Sequence, residues 1–113
     1  MLVIREKSVI PADAVPIRLT KGMTAYISPH RVPLVSQFYW RAVKSSSGYY
    51  ARARYQKDGK TITIRMHRLI ADTPPGQKCH HKDHNRMNNT DENLENQTER
   101  EHRHTDGWHF FEH

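Results

Sequence analysis

Two adjacent histidines, His80 and His81, are followed by Asn93 twelve residues after His81 and by His102 nine residues later. These residue types suit hydrolysis of a phosphodiester with one divalent ion. An imidazole, with an ordinary pKa of about 6.5, takes a proton from water near neutral pH. A divalent ion stabilises negative charge on the phosphate and the leaving oxygen as a Lewis acid. An amide side chain can hold the base in one orientation. Neighbours on a strand point to opposite faces, so His80 and His81 cannot do the same job. The expected roles are His81 as general base, His80 and His102 as metal ligands, and Asn93 as the orienter of His81 or of its loop. The competing reading is chance spacing in a histidine-rich tail, since seven of the nine histidines follow Cys79.

The elements that must position these residues are legible in outline. Residues 77–81 read as a short strand leading into the histidine pair, and residues 82–90 as a polar loop that cannot form a packed core. An extended piece begins at Leu94. Thr98 and Glu101 form a capping box that starts a helix near Glu99, running to about Asp106, where Gly107 can end it. His102 falls in the first turn of that helix, a rigid place for a ligand; His104 is the substitute. Asp83, Asn88 and Asn89 read as loop braces, His84, His109 and His113 as solvent-exposed, and His67 as a packed, hydrogen-bonded histidine. Cys79 reads as a small core residue.

Upstream, residues 1–36 read as an N-terminal arm with strands, including 23–28, and with Pro33 limiting helix. Three strands are expected at 37–43, 49–56 and 60–66, the first two joined through Ser45 to Gly48 and the last two by the hairpin signal Asp58-Gly59. A short helix follows over 66–72, stopped by Pro74 and Pro75. Alternation puts Phe38, Trp40, Ala51, Ala53, Tyr55, Ile62, Ile64 and Met66 on one face. Arg41, Arg52, Arg54 and Arg65 share the other with Thr61 and Thr63. Four arginines without an acidic neighbour predict contact with nucleic acid, joined by Lys44, Lys57 and Lys60. Residues 107–113 form an aromatic tail.

Charge is distributed to match. Residues 1–68 carry 13 Lys and Arg against three Asp and Glu, whereas residues 69–113 carry five against nine. The front half is thus the expected polyanion holder, and the back half can host a cation. Apolar residues make up 35% of the chain, which predicts two small clusters rather than one large core. A single cysteine excludes an intrachain disulfide and a CxxC zinc knuckle. No signal-peptide pattern or membrane-length apolar run is present, so a soluble, cytoplasmic protein is expected, with no membrane partner, as a monomer or weak dimer.

The stretch "MHRLIADTPPGQKCHHKDHNRMNNTDENLENQTEREHRH" resembles the HNH (His-Me finger, ββα-metal) endonucleases of the phage and intron-homing group. Members show "HRL", a ligand-plus-base pair, then "D-G-N", "NN" and "NL". The upstream "YWRAVKSSSGYYARARYQKDGKTITIRMHRL" resembles the three-stranded DNA-binding sheet of plant ethylene-response factors. The resemblance implies an α+β fold, a small antiparallel sheet over 37–72 followed by a ββα-metal motif over 77–106. It further implies metal-dependent nicking or cleavage of double-stranded DNA, with His81 as base, Asn93 as the central Asn and His102 as second ligand. His80 stands where the family usually has Asp, although some branches, such as the nuclease colicins, also have His there. One divalent ion is implied, and a neutral ligand favours Mn²⁺, Ni²⁺, Co²⁺ or Zn²⁺ over Mg²⁺. His84 replaces the usual Gly, so a different loop turn is expected. The alternatives are an HNH-fold DNA-binding or accessory protein without catalysis, and a structural zinc finger.

Overall fold

A computed structural model describes residues 9–100. The extended sequences pair locally first. β1 (Val15–Arg18) and β2 (Thr24–Ile27) form an antiparallel pair. A single turn of 3-10 helix (Pro29–Arg31) leads into α1 (Val32–Val35). Both begin with proline at their first or second position, where a missing N–H costs nothing. The sequence expectation of a plain connection here misses these turns, because Pro33 limits a helix interior but not its start.

β3 (Arg41–Ser45), β4 (Gly48–Lys57) and β5 (Lys60–Arg65) form an antiparallel sheet in chain order. Ser45 pairs with Gly48 across a two-residue turn, and the Ser45 hydroxyl donates to the Gly48 carbonyl at 2.8 Å. The β4–β5 hairpin turns through Asp58 and Gly59, both with positive φ (52° and 75°), as a twist-matched two-residue turn requires. Phe38 and Trp40 precede β3 instead of lying within a strand over 37–43. The Trp40 indole N–H donates to the Val35 carbonyl at 2.8 Å, which anchors that approach to α1.

α2 (Met66–Ala71) follows β5 directly and ends at Asp72, whose left-handed backbone closes the helix. β6 (Gln77–His81) pairs antiparallel with β8 (Leu94–Thr98). Between them, β7 (Asn88–Asn89) joins the first sheet in parallel to β2. Residues 9–36 therefore do not stand apart: their second strand, β2, carries the site loop. Over the described residues the fold is small α+β, with mostly antiparallel pairing and two short helices, α1 and α2.

Among the described residues, one contiguous core binds these pieces. Ile27, Val35, Trp40, Met66 and Ile70 meet through Ala25, Ala42, Ala51 and Ala53. The alanines let the sheets approach α2 closely enough to merge what the composition suggested would stay separate. No helix among the described residues is long and apolar enough to cross a membrane.

Candidate functional site

His80 and His81 close β6 opposite Glu95 and Leu94, and their relative exposures are 7% and 8%. Strand alternation sends them to different surroundings. The His80 ring lies edge-on to His84 at 5.3 Å between centroids. The His81 ring lies 5.0 Å from that of His67, at the start of α2. His81 Nε2–H donates to Asn89 Oδ1 at 2.7 Å, while Asn89 Nδ2 points to Met66 Sδ at 3.3 Å. That arrangement leaves Nδ1 of His81 as the basic nitrogen.

Burial is the main cause that lowers the His81 pKa, with the Arg86 charge adding to it and the Asn89 bond opposing it. His67 is pushed down to about 3, first by burial and then by His81, Arg65, Arg68 and Arg86. Both rings are neutral at pH 7, and a neutral imidazole is the form that accepts a proton.

The loop after β6 is closed by its own amides. The Lys82 N–H donates to the Asn93 carbonyl at 2.8 Å. Asn93 Oδ1 accepts from the Asp83 N–H at 3.0 Å, and its Nδ2 donates to Asp83 Oδ1 at 2.8 Å and to the Asn88 carbonyl at 2.7 Å. Asn88 Nδ2 donates to the other Asp83 oxygen at 2.9 Å. Of the two roles open to Asn93, the loop is thus the one its hydrogen bonds serve. The residue on His81 is Asn89, which loop chemistry alone reads as a brace. The "NN" pair was the available signal, but only the pairing of β7 with β2 turns Asn89 toward the histidine. Asp83 braces the loop as expected. His84 adopts φ 64°, the conformation glycine favours, so its replacement of glycine does not remove the left-handed turn.

Cys79 departs from a simple core role. It is half-buried, its thiol donates to the His67 carbonyl at 3.6 Å, and burial raises its pKa. The predicted ligand His102, its substitute His104, the remainder of the capped helix and the aromatic tail lie outside the described residues; Glu99 and Arg100 are helical. Among the described residues, no group of three His, Cys, Asp or Glu side chains stands together as a metal site.

A second feature lies on the sheet. Arg41, Arg52 and Arg65 face one another directly across β3, β4 and β5, with Arg54 two residues along opposite Thr63. The Arg65 guanidinium sits 5.3 Å from the centroid of the Tyr50 ring, and Arg52 Nε is buried without a hydrogen-bond partner. Among the described residues, the ion pairs to carboxylate are those of His30 and Arg31 with Asp91, so none neutralises this row. By register, Lys44 pairs with Tyr49 and Lys57 with Lys60, on the opposite face of the sheet from the arginines. These three lysines are exposed but do not extend the row.

No protein-family model matches the chain, and neither the curated proteins nor the solved structures yield a match.

Proposed function

We propose that the chain is a metal-dependent DNA endonuclease of the HNH, or ββα-metal, kind, which nicks double-stranded DNA. The observation that carries this reading is the neutral, buried His81, held through Nε2 by Asn89 at 2.7 Å with Nδ1 left basic. An imidazole built that way accepts a proton from water at neutral pH. His80, on the strand's other side, and His102, on the predicted helix, would hold one divalent ion, which supplies charge stabilisation at the phosphate. Nitrogen donors favour Mn²⁺, Ni²⁺, Co²⁺ or Zn²⁺ over Mg²⁺ there. Asn93 keeps the loop closed around the base, and Asn89 keeps the ring in one tautomer.

The arginine row supplies the substrate contact. Three like charges directly across adjacent strands destabilise a sheet. An anion laid over them removes that repulsion, and a DNA backbone is an anion of the right extent. Arg41, Arg52, Arg54 and Arg65 are therefore the DNA-binding residues, and the partner is double-stranded DNA.

Supercoiled plasmid incubated with the protein and each of Mg²⁺, Mn²⁺, Ni²⁺, Co²⁺ and Zn²⁺ tests the reading. Nicked circles are expected with at least one metal, and His81→Ala abolishes them while retaining DNA binding. Retardation without nicking under every metal favours the second reading, a DNA-binding accessory protein, for which the arginine row alone suffices.

A further inference from the structure

Arg86 stands where the site loop meets the β3–β4 turn. The Met87 N–H donates to Asn85 Oδ1 at 3.0 Å, and the Asn88 N–H donates to the Asn85 carbonyl at 3.0 Å, so the backbone around Arg86 is fixed. Its half-buried side chain runs to the turn, where Nη2 donates to Ser47 Oγ at 2.5 Å. The loop that carries it runs from His81 to Asn89, whose side chains are joined at 2.7 Å, so Arg86 sits on the segment that closes beside the base. Among the described residues, no carboxylate stands within ion-pair distance of the Arg86 guanidinium. Asp83, the acidic residue of the same loop, is engaged by Asn88 and Asn93.

A cation partly removed from water, with no carboxylate among the described residues in ion-pair reach, is costly unless an anion joins it. A serine hydroxyl in an exposed turn is a weak and exchangeable partner. The planar guanidinium fork matches two phosphate oxygens. We propose that Arg86 binds the phosphate of the DNA strand next to His81, exchanging Ser47 for phosphate oxygens. The inference rests on the nuclease reading and adds a substrate-contacting residue to it. It also gives the β3–β4 turn a purpose: Ser47 parks the guanidinium at the seam between the DNA-binding sheet and the base.

The test compares nicking rates and DNA retention for the wild type, Arg86→Ala, Arg86→Lys and Ser47→Ala, with thermal melts for each. Arg86→Ala should lose about 100-fold in kcat, as removal of a donor to a developing oxyanion does. Its DNA retention should persist through the sheet arginines. Arg86→Lys, which keeps the charge but not the fork, should lose about tenfold. Ser47→Ala should stay within about threefold of the wild type, because an exposed hydrogen bond is weak. Wild-type rates in Arg86→Ala overturn the proposal. So does an equal loss in Ser47→Ala, which would make the bridge a structural tie. Should Arg86→Ala unfold, Arg86→Lys decides, and a wild-type rate there overturns it. If the wild type fails to cut under every metal, the nuclease reading falls and takes this inference with it; if the wild type cuts and Arg86→Ala cuts equally, only this inference falls.

Discussion

His81 reaches Asn89 through one nitrogen and keeps the other basic, so its orientation depends on a single 2.7 Å hydrogen bond. Asn93 makes three side-chain hydrogen bonds to the loop. The two asparagines should fail differently. On the nuclease proposal, Asn89→Ala lowers nicking about 10- to 100-fold in folded protein, as loss of a partner that orients a site histidine does. Asn93→Ala should instead destabilise the protein by about 2–3 kcal/mol, read by urea unfolding, because buried partners lose their bonds. His67 adds a pH dependence. Its folded pKa of about 3 lies below the ordinary 6.5, so between those values the unfolded chain binds the extra proton. Stability is full above pH 6.5 and falls as pH drops through that window. Melting temperatures from pH 7 to 4 should show the decline, and His67→Asn should lessen it, the remainder coming from His81, whose pKa burial also lowers.

At the scale of elements, the two residues of β7 bind the site to the N-terminal hairpin, with Tyr26 opposite Asn88 and Ile27 opposite Asn89. A latch beside that pairing holds it. Asp91 accepts from Arg31 Nε and Nη2 and from His30 Nε2, each at 3.0 Å, and the Asp91 N–H donates to Ser28 Oγ at 2.9 Å. Burial acts to raise the Asp91 pKa, but the Arg31 hydrogen bonds and charge, with His30, hold it below the ordinary carboxylate value. The latch therefore contributes at neutral pH and is lost as pH falls below the usual carboxylate range of about 4. Asp91→Asn should cost about 1 kcal/mol at pH 7, since the pair is about a third exposed, and less at pH 3. Chemical denaturation at the two pH values checks the difference. A sheet that uses its N-terminal strand to fix an asparagine 62 positions after Ile27 is built from contacts that no local pattern displays.

For the whole molecule, the charge asymmetry of the chain becomes an asymmetry of place. Arg41, Arg52, Arg54 and Arg65 gather on one face of β3–β5, and His67, His80 and His81 lie at the junction of β6, β7 and α2. On the proposed reading, DNA binding and cutting should therefore separate. Replacing Arg41, Arg52 or Arg65 with Gln should each reduce the slope of log affinity against log salt by about 0.9 if that residue neutralises one phosphate. Filter binding from 50 to 200 mM salt measures it, roughly the range over which such contacts dominate. An unchanged slope in all three would place the DNA elsewhere.

What the sequence determined by itself was local. Strand alternation placed the arginines opposite the apolar residues, and Asp58-Gly59 set the β4–β5 register, because a turn needing two positive φ values selects those residue types. The polar loop with Asp83 as a brace was equally legible, since its bonds close within a few residues. Partner choice across the chain was decided only by tertiary structure. Asn89 rather than Asn93 meets His81 because β2 holds β7 in place; His67 lies beside His81 because α2 packs there; Ser47 meets Arg86 because the sheet's turn reaches the loop. Residue type limits what a side chain can bond, but which partner it finds depends on packing between elements far apart in sequence, and four small alanines let that packing close into one core.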